Sequence, residues 1–205
     1  MSIPRLWAVT DRRLLGAADW RAWCAGLAAL GVRALQVREK DVDDRVLFEL
    51  ATAARGAFPR PGRLVLNRRF DVALAADADG VHLPAAGLAI EPVRAAAPAG
   101  FLVGRSTHSL AEIAAARDAG ADYVFFGPIL ATPSKSGRGI PHGISSLTRA
   151  AAEGVPVIAI GGLDETNARA ALDAGAHGVA AIRAFADLAR AAALVATLNR
   201  TGTPP

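Results

Sequence analysis

The feature that most constrains this chain is an alternation that repeats eight times. Short apolar runs, most of them ending in a polar residue, recur at residues 6–10 (LWAVT), 34–40 (ALQVREK), 63–67 (RLVLN), 80–84 (GVHLP), 102–106 (LVGRS), 123–128 (YVFFGP), 155–162 (VPVIAIGG) and 178–183 (GVAAIR). Ala-rich segments with helical spacing separate them, at about 20–30, 42–58, 71–76, 90–97, 110–119, 145–153, after Asp164, and 185–198. In the first, Trp23, Leu27 and Leu30 share one side, and Pro59 ends the second. Strand and helix patterns in strict alternation predict βα units and a parallel sheet. An internal echo agrees: ADADGVHL, AGADYVFF and AGAHGVAA each lead from a helix end into the fourth, sixth and eighth runs. An open doubly wound sheet would use fewer units and a GxGxxG fingerprint, which is missing. The expected fold is therefore a single-domain (β/α)8 TIM barrel over residues 1–200, with 201–205 as a frayed tail.

Composition narrows the function. A chain of 205 residues suits one domain with a large core. Aromatic residues at 5% argue against a stacking platform for nucleic acid, and a net charge of +4 fits a small anionic ligand. One cysteine, Cys24, excludes an internal disulfide and a Cys-based zinc site, and its helical context reads as a small buried residue. No apolar run spans a bilayer and the N-terminus lacks a secretory pattern. We expect a cytoplasmic protein with a small-molecule phosphate or pyrophosphate substrate and neither nucleic-acid nor membrane partners; a homo-oligomer stays open.

Ligands of such barrels bind where the strands end. The residues there are Thr10 and Asp11; Gln36, Arg38 and Lys40; Asn67, Arg68 and Arg69; His82; Ser106 and His108; Thr132, Ser134 and Lys135; Gly161 and Gly162; and Arg183. The set is cationic and rich in donors, as a phosphate site requires. Ordinary ion pairs, Arg38 with Glu39 or Lys40 with Asp41, are the competing reading. VIAIGGL at 157–163 reads as a strand buried on both faces. Its glycines permit close approach to a ligand, and Asp164 is expected to cap the following helix, so that free N–H groups face an anion. A plain Gly-rich turn is the alternative. His82 reads as a satisfied core histidine, and His177 falls at the N-terminal face. His108 and His142 lie in loops on the ligand side, and no histidine spacing matches a metal site.

LQVREK, LNRRFDVALAADADGVHL, GRSTHSLAEI, GADYVFFGPILATPSK, VPVIAIGGL and GAHGVAAIRA together resemble the thiamine phosphate synthase family and its TenI branch. In the synthases a pyrimidine pyrophosphate ionises and the nitrogen of a thiazole phosphate captures the cation. The resemblance implies that Gln36 contacts the pyrimidine, and that Arg38, Lys40, Asn67 and Lys135 hold the pyrophosphate with Ser106 close by. Thr132 and Ser134 would lie by the thiazole, and Gly161, Gly162 and the backbone at Ile182 and Arg183 would take its phosphate. Two positions depart from the synthases. Their Asn-Asp-Arg is Asn67-Arg68-Arg69 here, and their second magnesium aspartate corresponds to Gly87. TenI-like proteins also lack these carboxylates and are linked to a thiazole tautomer shift, which needs no metal. The TenI histidine after FFG is Pro128 here, leaving His108, His142 and Lys135 as candidate catalytic groups. We therefore expect a TenI-like tautomerase without a cofactor. The alternatives are a synthase, which would need Mg2+, and a homologue that binds without catalysis. Arg68 is a candidate replacement for the metal's charge.

Overall fold

The computed structural model describes residues 2–16, 18–131 and 140–199. Its eight strands form one closed parallel barrel in chain order: β1 Leu6–Val9, β2 Ala34–Val37, β3 Arg63–Asn67, β4 Gly80–Leu83, β5 Leu102–Thr107, β6 Tyr123–Phe126, β7 Val157–Ile160 and β8 Gly178–Ala181. The helices are α1 Trp20–Ala29, α2 Asp44–Ala57, α3 Phe70–Ala75, α4 Ile90–Ala96, α5 Leu110–Asp118, α6 Ser146–Ala151, α7 Ala168–Asp173 and α8 Leu188–Asn199. The expected (β/α)8 barrel is therefore present. No helix among the described residues is long and apolar enough to cross a membrane.

The period of two along each strand divides the apolar residues into two layers. Leu6, Ala8, Leu35, Leu64, Leu66, Val81, Val103, Val124 and Phe126 face outward under the helices. Trp7, Val9, Val65, Leu102, Tyr123, Phe125 and Ile158 fill the barrel interior. Trp7 packs on Tyr123 with ring centroids 4.5 Å apart and meets Phe125 edge-on at 5.4 Å. The Tyr123 ring fits because its neighbour on β5 is Gly104; a Cβ there would lie 2.2 Å from Tyr123 Cζ. Cys24 is fully buried in α1, and burial pushes its thiol up to about 12.

Short polar side chains start the longer helices. Asp19 accepts from the Ala22 N–H at 2.7 Å, and Asp43 from Val46 at 2.9 Å. Ser109 accepts from Glu112 N–H while the Glu112 carboxylate reaches back to the His108 N–H at 2.6 Å, a variant of the capping box. Ser109 is thus the cap of α5.

The sequence echo has a structural meaning at the N-terminal face. Asp79, just before β4, accepts from Leu64 N–H at 2.7 Å, from Arg55 at 2.5 Å and from Arg60 at 3.0 Å. Asp122, before β6, accepts from Val103 N–H at 2.7 Å and from Arg94 at 2.5 Å. His177, before β8, pairs through Nε2 with the Ile3 carbonyl at 2.8 Å. All three tie neighbouring strands together at the end opposite the ligand rim.

Candidate active site

On the rim, β2 and β3 bring a cation next to an amide pair. Gln36 is buried, and its Nε2 donates to Asn67 Oδ1 at 3.5 Å, a long bond. Arg38, two residues further and just past the end of β2, is half-buried, and its backbone N–H donates to Thr10 Oγ1 at 2.8 Å. Burial lowers the Arg38 pKa, partly offset by the charges of Asp11 and Glu39, but a guanidinium stays protonated in proteins.

The nearby carboxylates do not neutralise Arg38 as a local pair. Glu39 accepts from Thr10 Oγ1 at 2.5 Å, from Arg12 N–H at 3.1 Å and from the Arg12 guanidinium at 3.2 Å. The same guanidinium takes Asp41 at 2.6 Å and holds its carboxyl below the usual range, while Arg13 does so for Asp11 at 2.8 Å. Nothing in the sequence marks Arg12 as the partner, because the contact spans two loops.

Arg68 and Arg69 separate cleanly. Arg69 bonds Asp71 at 2.5 Å and also pairs with Asp44. Arg68 is exposed at the end of β3 with φ +72°. Its N–H donates to the His82 carbonyl at 2.9 Å, and the next N–H, of Arg69, donates to the Asn67 carbonyl at 2.9 Å. Lys40 is exposed in the loop after β2.

His82 lies inside the barrel between Ser106 Oγ (2.9 Å from Nε2) and Tyr123 Oη (3.2 Å from Nδ1). Burial first, then the charges of Arg38 and Arg105, push it down to about 3, so it is neutral at physiological pH. Both ring nitrogens are engaged, which makes His82 the satisfied core histidine expected and gives Ser106 a fixed orientation at the mouth. Arg105 fastens the loop after β4 through the Ala85 carbonyl at 2.7 Å and the Leu88 carbonyl at 2.5 Å.

Across the mouth, Gly161 (φ +103°) and Gly162 (φ +71°) follow β7. A Cβ on Gly162 would lie 2.6 Å from Leu130 Cβ, and one on Gly161 2.8 Å from Pro128 Cα. The loop after β6 is bound here, with Ile129 N–H on the Ile160 carbonyl at 3.0 Å and Leu130 N–H on the Gly161 carbonyl at 2.9 Å. The glycine pair therefore serves loop packing as well as any ligand. Among the described residues, the N–H groups of Gly161, Gly162, Ile182 and Arg183 donate to no protein acceptor. A 3-10 turn at Arg183–Phe185 follows β8, the place where barrels of this kind often bind phosphate.

Two expectations about this side need correction. Asp164 does not cap the helix; its carboxylate accepts from Thr166, and α7 begins only at Ala168 after Asn167. The donors facing the mouth are thus loop amides, not a helix terminus. The last helix starts at Leu188, and not near Phe185, because the 3-10 turn intervenes. Glu165 in the loop after β7, unremarked in the sequence, has its Oε2 buried without a hydrogen-bond partner among the described residues.

The candidate bases are placed as follows. His108 Nδ1 pairs with the Gly127 carbonyl at 2.5 Å. His142 stacks on Phe126, centroids 4.5 Å apart, and Phe126 belongs to the outer layer under the helices. Thr132, Ser134 and Lys135 lie outside the described residues.

Among the described residues the rim offers poor ligands for magnesium, which takes hard oxygen donors. Arg68 and Gly87 stand where the resemblance puts carboxylates, and Asp11, Glu39 and Asp41 are held by arginines. No group of three or more His, Cys, Asp or Glu side chains that could hold a metal occurs among the described residues.

The family described as Thiamine monophosphate synthase matches residues 6–185. A Geobacter sulfurreducens protein, itself only provisionally called a thiamine-phosphate synthase, is 46% identical over 88% of this chain and 85% of its own. The thiamine-phosphate synthase of Methanoculleus marisnigri is 41% identical over 87% of this chain and 86% of its own. A solved structure, the thiamine phosphate pyrophosphorylase of Pyrococcus furiosus, superposes with a TM-score of 0.84 at 31% identity, covering 96% of both chains. With all eight strands inside the match, the chain belongs to the thiamine monophosphate synthase family.

Proposed function

We propose that the protein is a thiamine-phosphate synthase, a transferase that joins a hydroxymethylpyrimidine pyrophosphate to a thiazole phosphate. The observation that carries this reading is the presence of two separate anion-friendly groups on one mouth. Arg38 with Gln36 and Asn67 lies on one side, and the free amides after β7 and β8 lie on the other. Two phosphorylated substrates need two such places; a reaction on thiazole phosphate alone needs one. The names of the relatives favour the same activity.

In this reading the Gln36 carboxamide, with Nε2 turned to Asn67, presents Oε1 to a pyrimidine amine. Arg38 neutralises the departing pyrophosphate in a half-buried setting, where charge acts more strongly than in water. The walls formed by Val9 and Phe125 exclude water from the cation formed on departure. Lys135 would contact the pyrophosphate, and Thr132 and Ser134 the thiazole.

The reading departs from the tautomerase expected from the sequence. A tautomer shift needs a base at the thiazole. The His108 ring is engaged by Gly127, and His142 lies on an outward-facing ring. Titration calorimetry tests the two-site basis: thiazole phosphate should bind undiminished when the protein is saturated with inorganic pyrophosphate. Mutual exclusion of the two ligands would refute it.

A further inference from the structure

Arg68 holds a costly conformation and has no internal reason to be an arginine. Its φ of +72° lies in the left-handed region, which favours glycine and the short polar side chains of Asn and Asp. The backbone is fixed there from both sides by the bonds to His82 and Asn67. Among the described residues its guanidinium makes no hydrogen bond or ion pair, while Arg69 beside it takes both Asp71 and Asp44. It follows Asn67 directly, one strand from Arg38, and so stands at the pyrophosphate side of the mouth. Strain maintained at an exposed residue on a site rim points to function.

Resting on the two-substrate reading above, we infer that Arg68 is the cation that receives the leaving pyrophosphate, and that this protein needs no divalent metal there. The C–O bond of the pyrimidine methylene breaks with its electron pair going to the pyrophosphate oxygen. The thiazole nitrogen lone pair then forms the new C–N bond, leaving the ring as a thiazolium. No oxidant or proton donor is required. The charge arriving on the pyrophosphate meets a permanently protonated, forked donor, which suits phosphate oxygens in a bidentate way.

The test is titration calorimetry with inorganic pyrophosphate, in EDTA and then in excess Mg2+, on the full chain and on Arg68→Ala, Arg68→Asn and Arg68→Asp. The unaltered protein should bind in EDTA with little gain from Mg2+. Arg68→Ala and Arg68→Asn should each lose about ten- to a hundredfold in affinity. Arg68→Asn suits the left-handed backbone, so its melting temperature should hold or rise while its affinity falls, which separates a ligand role from a structural one. Arg68→Asp should bind in Mg2+ far better than in EDTA. Unchanged affinity in Arg68→Asn, or binding by the unaltered protein only with Mg2+, would overturn the inference. These readouts need no turnover, so a protein that binds as expected but forms no thiamine phosphate would refute the synthase reading alone.

Discussion

Replacing Asp79 by alanine should be among the most destabilising single changes at the foot of the barrel. Its side chain is 4% exposed and that of Arg55 11%, so the pair is desolvated. Removing the carboxylate leaves Arg55 without its counter-charge and the buried Leu64 N–H without an acceptor. Breaking one side of a buried pair costs about 3–5 kcal/mol. For a chain of this size that lowers the melting temperature by roughly 10 °C, at about 2–4 °C per kcal/mol. Asp122 occupies the corresponding place, but it and Arg94 are about a third exposed, at 32% and 35%. Solvent screening discounts that ion pair. Asp122→Ala should therefore cost only about 1–2 kcal/mol, mostly from the Val103 amide. Urea melts of both variants, read by circular dichroism, give the comparison. Equal losses, or a loss below about 1 kcal/mol for Asp79→Ala, would refute the argument that burial grades these strand ties.

Other changes follow from the same structure. Gly162→Ala combines a left-handed φ with a 2.6 Å contact to Leu130 Cβ; it should cost about 2–4 kcal/mol in urea melts and weaken thiazole phosphate binding. His82 is held neutral down to about pH 3, whereas an unfolded histidine takes a proton below about 6.5. The unfolded chain therefore binds more protons across that window, and stability falls as pH drops through it. Relative to His82→Gln, the native protein should lose about 2 kcal/mol between pH 7 and pH 5, measured by urea melts at each pH. Cys24, buried and with its thiol pushed up to about 12, should react with a thiol reagent only after denaturation; rapid labelling of the native protein would contradict the packing of α1.

The barrel was legible because its signal is local and repeated. Each strand is a short apolar run, each helix an Ala-rich segment, and the echo at Asp79, Asp122 and His177 marks residues that do comparable work at one face. The rim was legible as a set, since chain order alone places the ends of parallel strands together. Partner choice was not. Glu39 and Asp41 turn to Arg12, a contact made by packing two loops, while simple proximity suggested Arg38 and Lys40. Asp164 precedes a helix pattern but closes a turn with Thr166, because the first helical residue is Ala168. The Gly161–Gly162 pair reads as a ligand cradle, yet part of its necessity comes from the loop after β6 that lies against it. His142 belongs to a loop that the sequence places near the ligand, but a stacking contact with Phe126 fixes it on the outer layer.

The most direct test of the account is product analysis on the purified protein with both substrates, in EDTA. Chromatography should find thiamine phosphate and inorganic pyrophosphate appearing in equal amounts, with no product when either substrate is omitted. Conversion of the thiazole phosphate to its aromatic tautomer without joining, or no product with or without Mg2+, would contradict the account.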